Sequence, residues 1–314
     1  MTHAATVDGV ALEGLHHVTA ITADAPRNVD FYARVLGLRL IKKTVNFDQP
    51  DVYHLYYGDE RGTPGSVLTF FEFPGAAPGR HGDGMPYRIA WRVADAGALD
   101  FWAARLTDEG VPVTQATSGG SVRFADPEGL EHELVVDDVP DEPLVAAAGD
   151  VPAEHALLGF AGVRAYSGQP AASAGLLSVL GFAGGVDEWE LAGERRRARW
   201  SYDAAPGRGL QGAGSIHHVA WSAADDDELA RLRAIAANSG ARPTPIIDRQ
   251  YFHSVYFREP SGVLFELATR DVGFDVDEPL ESLGHGLMLP PQYESRREQL
   301  AARLTPITNP RSPA

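Results

Sequence analysis

The chain has 314 residues, a formal net charge of −16 and no cysteine. So acidic a balance speaks against nucleic acid, whose binding rests on Lys and Arg neutralising phosphates, and against anionic membrane. The missing cysteines exclude disulfides, thiolate metal ligands and a cysteine nucleophile. Hydrophobic content of 44% over this length suits two soluble domains, each with its own core. No apolar run is long enough for a membrane span, and Met1-Thr-His-Ala-Ala lacks a signal pattern, so the expectation is a cytoplasmic protein.

Residues 15–22 alternate apolar and polar types and read as a strand. Residues 24–37 follow as a helix, with Val29, Tyr32, Val35 and Leu36 at helical spacing and Gly37 as the stop. Three strand-like runs come next, at 39–46, 53–57 and 66–73, divided by Gly, Pro and Asp turns. That is one βαβββ unit.

The pattern restarts at Tyr87. It has a strand at 88–93, a helix at 98–108 closed by Gly110, and strands at 111–114, 121–124 and 130–136. A third unit opens at 160–166, with a helix through Leu176, Leu177 and Leu180 that stops at Gly181. Its later strands lie around Trp189 and at 197–202, and a Gly/Ala-rich loop fills 204–214. The fourth opens at Ile216, carries Leu229, Leu232 and Ile235 on a helix stopped by Gly240, and ends on the strand of Glu266. Fourfold repetition of this kind predicts an α+β fold of four βαβββ modules in two paired domains, each an open mixed or antiparallel β-barrel with flanking helices. The expected division is an N-terminal domain over 1–140 that supplies one His ligand or pairs with the C-terminal half, a linker over 141–155, a C-terminal domain over 156–270 and a tail over 271–314. In that tail 293–304 reads as a closing helix over the barrel, and 305–314 as free.

Glu266 is the one carboxylate in the apolar run Val263-Leu-Phe-Glu266-Leu, and a buried carboxylate needs a partner. An arginine is the ordinary one. Leu15-His16-His17-Val18 and Ile216-His217-His218-Val219 supply another possibility, since two histidine-bearing strands and a glutamate make a 2-His-1-carboxylate set. Neighbouring strand residues face opposite ways, so each pair offers one inward ligand unless the strand bulges; parity groups His17 with Thr19 and His218 with Ala220. Aligned on the turn Asp126-Pro-Glu-Gly, unit two places Glu133 where unit four has Glu266. Its first strand, however, has Arg88 in the place of His218, and unit three has Ala161 and Gly162 in the places of His16 and His17. The second pocket therefore reads as an ion pair, Arg88 with Glu133.

These repeats, the two His-His-Val strands and Glu259-Pro-Ser-Gly-Val-Leu-Phe-Glu266 resemble the vicinal oxygen chelate superfamily of glyoxalases, extradiol dioxygenases and antibiotic-binding proteins. The likeness is strongest to ring-cleaving dioxygenases of hydroquinone type. It includes Tyr53-His-Leu-Tyr-Tyr-Gly-Asp, Gly62-Thr-Pro-Gly-Ser, Asp248-Arg-Gln-Tyr251-Phe-His-Ser-Val-Tyr and Leu287-Met-Leu-Pro-Pro. The resemblance implies Fe(II), with Mn(II) as the substitute, held by His17, His218 and Glu266. It places His16, Thr19, His217, Arg249 and Tyr251 around a small aromatic substrate and O2.

Two imidazoles and a carboxylate on one face of an octahedral ion leave the opposite face for substrate and O2. Tyr251 and His217 are then candidates for donating a proton or holding a phenolate, and Arg249 for offsetting anionic charge. His54, His81, His132, His155, His253 and His285 carry no such pattern and read as structural or surface residues. The alternatives are a glyoxalase-like isomerase or lyase and a non-catalytic binding protein of the same fold. The isomerase needs a fourth ligand on the strand Ser66-Val-Leu-Thr-Phe-Phe-Glu72, where Thr69 or Phe70 falls at the required place. A homo-oligomer is compatible with all three.

Overall fold

The computed structural model describes residues 12–115 and 120–311. The readings of Met1 to Ala5 and of residues 312–314 lie outside them. The four units form as follows: β1 (Leu15–Thr22), β2 (Arg39–Val45), β3 (Tyr53–Gly58) and β4 (Val67–Glu72); then β5 (Met85–Val93), β6 (Thr114–Gln115), β7 (Ser121–Ala125) and β8 (Glu131–Val136). The third has β9 (Phe160–Ser167), β10 (Ala183–Gly184), β11 (Glu188–Ala192) and β12 (Arg197–Ala204). The fourth has β13 (Ile216–Ala223), β14 (Ile247–Asp248), β15 (His253–Arg258) and β16 (Leu264–Thr269).

Each unit's helix follows its first strand: α1 (Ala25–Val29), α2 (Ala96–Asp108), α3 (Ala174–Val179) and α4 (Asp226–Asn238). The two longer helices begin alike because Asp95 and Asp225 each sit in extended backbone and accept the N–H three residues on, from Ala98 and Glu228 at 2.9 Å. They end alike at Gly110 and Gly240, whose φ values of 75° and 88° suit glycine. The helix expected over 24–37 is instead α1 followed by a π-turn over Asp30–Val35. This wider winding belongs to a buried network, in which the Tyr32 hydroxyl lies 2.9 Å from both Asp126 Oδ2 and His132 Nε2.

The strands assemble into two eight-stranded sheets, ordered β14-β15-β16-β13-β1-β4-β3-β2 and β10-β11-β12-β9-β5-β8-β7-β6. The first sheet thus joins unit one to unit four, and the second joins unit two to unit three. Each draws on both halves of the sequence, which corrects the expected division at 141–155: the linker joins two modules of one sheet. The reason is in the central pairs, where β1 runs antiparallel to β13 and β5 antiparallel to β9. Among the described residues no helix is long and apolar enough to cross a membrane.

The C-terminal segment packs on the first sheet. The Phe274 ring stacks on Tyr251 at 5.1 Å, and Met288 N donates to Lys43 O on the edge strand β2 at 2.9 Å. Fully buried Lys42 is matched from this segment by Asp277 Oδ1 at 2.7 Å and Glu278 Oε2 at 3.0 Å. Residues 293–304 form the end of a 3-10 turn over Pro291–Arg296 and a short α5 (Arg297–Ala301). Contrary to the expectation of a free end after 304, Asn309 is buried with its Nδ2 donating to Gly284 O, and Arg311 pairs with Glu60 at 2.6 Å.

Candidate metal centre and its cavity

Strand register brings the three candidate ligands together. His17 on β1 pairs with Ala220 on β13, and Ala220 pairs with Glu266 on β16, so His17, Ala220 and Glu266 occupy one row across adjacent strands. His218 stands two residues from Ala220 on the same face. The Nε2 atoms of His17 and His218 are 3.3 Å apart, and Glu266 Oε2 lies 3.2 Å from the first and 2.8 Å from the second. All three residues are buried, and no other such trio of His, Asp or Glu occurs among the described residues.

The donor set fits a metal ion. Glu266 Oε1 accepts a hydrogen bond from Ser254, whereas Oε2 is buried with no hydrogen-bond donor aligned to it. A buried carboxylate oxygen in that state needs a cation. Burial pushes the Glu266 carboxyl up, but His17 and His218 outweigh it and hold the group well below the usual range, as a carboxylate. Burial lowers His218, with Glu266 opposing, which favours the neutral imidazole a metal requires.

The bulges explain the doubled histidines. His16 is the extra residue where pairing shifts between Leu15 and His17, and His217 the extra one where it shifts between His218 and Ile216. Each lies beside its neighbour, with Nδ1–Nδ1 separations of 2.9 Å for His16–His17 and 2.8 Å for His217–His218. His16 Nε2 is 2.9 Å from the Thr269 carbonyl, which only accepts, so Nε2 carries the proton and His16 Nδ1 accepts from His17. That tautomer leaves the lone pair of His17 on Nε2, facing Glu266. Burial, first of all, holds both His16 and His217 down at about 3.

A cavity of about 360 Å³ opens over the centre, within the range of small-molecule sites. Phe47, Phe71, Phe73, Phe252 and Leu264 give it apolar walls. Of the residues expected around a substrate, Thr19, His217 and Arg249 line it. His16 stands behind His17 instead. Tyr251 requires a correction: its ring is buried outside the cavity lining and its hydroxyl donates to Asp277 Oδ2 at 2.9 Å. The phenol at the cavity is Tyr256, which pairs with Glu266 in register and receives Arg249 Nε at 3.2 Å, with the guanidinium over its ring. Burial, then Glu266, raise its hydroxyl pKa, so it stays protonated. Alternation carries the signal: Tyr256 shares parity with Ser254, whose hydroxyl holds Glu266, and Tyr251 does not. Applied to β3, the same rule puts His54 and Tyr56 at the cavity as well.

A pseudo-twofold relation runs between β1 and β13. It exchanges His17 with His218, Thr19 with Ala220, and Glu266 with Thr69, which pairs with Thr19 just as Glu266 pairs with Ala220. Thr69 therefore holds the place of a fourth ligand. Glu72 is on the opposite face, where its Oε1 accepts the Ala25 N–H at 3.0 Å. The second sheet repeats the frame with Gly162, Ala90 and Glu133 in one row. There Arg88 bonds chiefly to Glu131 at 2.6 Å and is 3.8 Å from Glu133, which is taken by Arg123 at 2.8 Å. The expected Arg88–Glu133 pair is thus part of a wider charge network.

Residues 14–134 match the profile of the Glyoxalase/Bleomycin resistance protein/Dioxygenase superfamily. The chain is 42% identical over 302 residues to "Putative ring-cleaving dioxygenase MhqO" of Bacillus subtilis, covering 94% of this chain and 96% of that protein. It is 32% identical over 308 residues to a "Chlorohydroquinone/hydroquinone 1,2-dioxygenase" of Sphingobium indicum, covering 92% and 95%. A solved structure of a "putative dioxygenase" from Bacillus subtilis superposes with a TM-score of 0.89 at 40% identity, covering 96% of this chain and 99% of that one.

Proposed function

This chain belongs to the Glyoxalase/Bleomycin resistance protein/Dioxygenase superfamily, alongside its ring-cleaving dioxygenases, and from that membership we propose that it is an Fe(II)-dependent dioxygenase that cleaves hydroquinone-type aromatic rings. The observation that carries the reading is the place of Thr69. Three ligands converge from one side, and the fourth position holds a hydroxyl already bonded to Thr19 at 2.9 Å and to His54 at 2.9 Å. A coordination sphere so built leaves positions for a substrate oxygen and O2, whereas an isomerase site needs the fourth protein ligand.

His17, His218 and Glu266 would hold the ion. When bound, it would activate O2 next to an electron-rich ring. The side chains do the rest. With Nε2 of His218 as ligand, its Nδ1–H donates to His217 Nδ1, so His217 presents a neutral N–H donor to the cavity. Arg249 offsets the negative charge of a phenolate and holds the Tyr256 hydroxyl toward the centre. Phe252, packed against the rings of both His16 and His17, fixes the ligand and walls out water. A para-dihydroxy ring reaches the ion through one oxygen, so these contacts must set its orientation, whereas a catechol fixes itself with two.

The test is anaerobic metal analysis followed by oxygen uptake on matched hydroquinones and catechols. Preference for hydroquinones by the iron-loaded protein is expected. Absence of oxygen uptake by that protein on the whole panel, or a preference for catechols, overturns the reading.

A further inference from the structure

The stretch Tyr53-His-Leu-Tyr-Tyr-Gly-Asp supplies no metal ligand, yet two of its side chains face the cavity. The pseudo-twofold relation gives their places meaning. Tyr56 pairs with Thr69 as Tyr256 pairs with Glu266, and His54 stands two residues before Tyr56 as Ser254 stands before Tyr256. On the ligand side, Ser254 orients Glu266. On the other side, His54 sits between Thr69 and Tyr56 and bonds to both.

The bonds form one continuous chain. The Tyr56 hydroxyl is 2.8 Å from His54 Nδ1, His54 Nε2 is 2.9 Å from Thr69 Oγ1, and Thr69 Oγ1 is 2.9 Å from Thr19 Oγ1. Thr69 is fully buried, while Tyr56 and Thr19 both line the cavity. Both ends of the chain thus open on the same space. Every member except the imidazole is a hydroxyl, able to donate and accept at once, and a neutral imidazole donates from one nitrogen and accepts at the other. The chain can point either way without any group carrying charge.

We propose that His54 is a positioning residue that joins Tyr56 and Thr19, through Thr69, into a charge-neutral proton path across the cavity. The proposal rests on the ring-cleaving reading, because it needs a substrate that gives up a ring-hydroxyl proton. The Tyr56 oxygen takes that proton as its own passes to His54 Nδ1. The Nε2 proton passes to Thr69, that of Thr69 to Thr19, and that of Thr19 to water at the far end. One O–H bond breaks at the ring and one forms on the water. Nothing is oxidised or reduced, and His54 ends as the opposite tautomer.

Two measurements on the metal-loaded chain test this. The first compares wild type, Thr69→Val and His54→Gln for kcat, KM and the solvent deuterium isotope effect on hydroquinone turnover. Thr69→Val keeps the side chain's shape and breaks the path, so it should lower kcat roughly tenfold to a hundredfold with KM within about twofold. The isotope effect, with a curved dependence on deuterium fraction in wild type, should become smaller and linear. The second needs no turnover. Nitrogen NMR of the zinc-loaded protein should show His54 averaging between two neutral tautomers in wild type and fixed as one in Thr69→Val. Unchanged kcat and isotope effect in Thr69→Val overturn the proposal, as does one fixed tautomer in both proteins. A wild type that turns over no aromatic substrate removes the ring-cleaving reading, and the tautomer result still decides whether the path exists.

Discussion

Ser254 donates its hydroxyl proton to Glu266 Oε1 and thereby turns Oε2 toward His17 and His218. Loss of an outer partner of this kind costs roughly tenfold to a hundredfold in metal affinity. Ser254→Ala should therefore weaken iron or zinc binding by about that factor, measured by competition with a chelator. Glu266→Gln should abolish stoichiometric binding. Wild-type affinity in Ser254→Ala would show that Glu266 is oriented by its strand alone.

The chain should bind one divalent metal, not two. In the second sheet, glycine and arginine take the places of the two histidines, and Glu133 is already bonded to Arg123. Elemental analysis of wild type and Glu133→Gln should give the same single equivalent. A second equivalent that disappears in Glu133→Gln would contradict this.

Two tyrosines five residues apart should respond differently. Tyr256→Phe removes a cavity hydroxyl held by Arg249, so turnover should fall roughly a hundredfold to a thousandfold, the range for losing one placed donor, with metal content unchanged. Tyr251→Phe removes a bond to Asp277, so its effect should appear in thermal stability first. Oxygen uptake and melting curves on both variants distinguish them. A larger kcat loss in Tyr251→Phe would return the sequence-based choice to favour.

The buried network around Tyr32 sets a pH signature. Burial raises Asp126 to about 6 and lowers His132 to about 3. Between pH 4 and 6 a raised carboxyl binds more protons folded than unfolded, so its contribution to stability falls as pH rises. A lowered imidazole binds fewer protons folded than unfolded, so its contribution grows over the same window. The two oppose each other. Relative to wild type, Asp126→Asn should gain stability with rising pH and His132→Gln should lose it, read from urea midpoints at pH 4, 5 and 6. Parallel curves for all three proteins would refute the assignment.

The C-terminal segment should matter to both stability and turnover. Asp277 holds Lys42, Gln250 Nε2 and the Tyr251 hydroxyl, and so fixes the turn that carries Arg249 and Phe252 into the cavity. Lys42 is fully buried, and breaking a buried pair costs about 3–5 kcal/mol. Asp277→Ala should fall toward the lower end, since Glu278 remains, and KM for the aromatic substrate should rise. Calorimetry and steady-state kinetics check the two effects. Removal of residues 271–304 with neither effect would rule the role out.

The repeat made the fold legible, because glycine stops and apolar periodicity recur at matching points in four units. Parity also grouped His17 with Thr19 and His218 with Ala220. What escaped were features set by pairing between distant strands. Alternation in residues 248–258 groups Tyr256 with Ser254, but only the β15–β16 register says that this face meets Glu266. His54 was passed over because what gives it meaning is its bond to Thr69, which lies on another strand and leads on to Thr19. The division into halves failed for the same reason: the sequence shows four modules, but the β1–β13 and β5–β9 pairings choose which modules share a sheet.

That choice has a consequence for the order of events during synthesis. The second sheet is drawn from a contiguous stretch and is complete once residue 204 has emerged. The first must hold β1 without its central partner until Ile216–Ala223 arrives, and the Glu266 strand comes later still. Contacts so distant in sequence form slowly. A nascent chain therefore displays one finished sheet beside an unfinished one, β1-β4-β3-β2, whose outer strand β1 carries His16 and His17. Metal captured before residue 266 is present would meet two imidazoles at most. The last of the three convergent side chains is in this way withheld until the fourth module has been made.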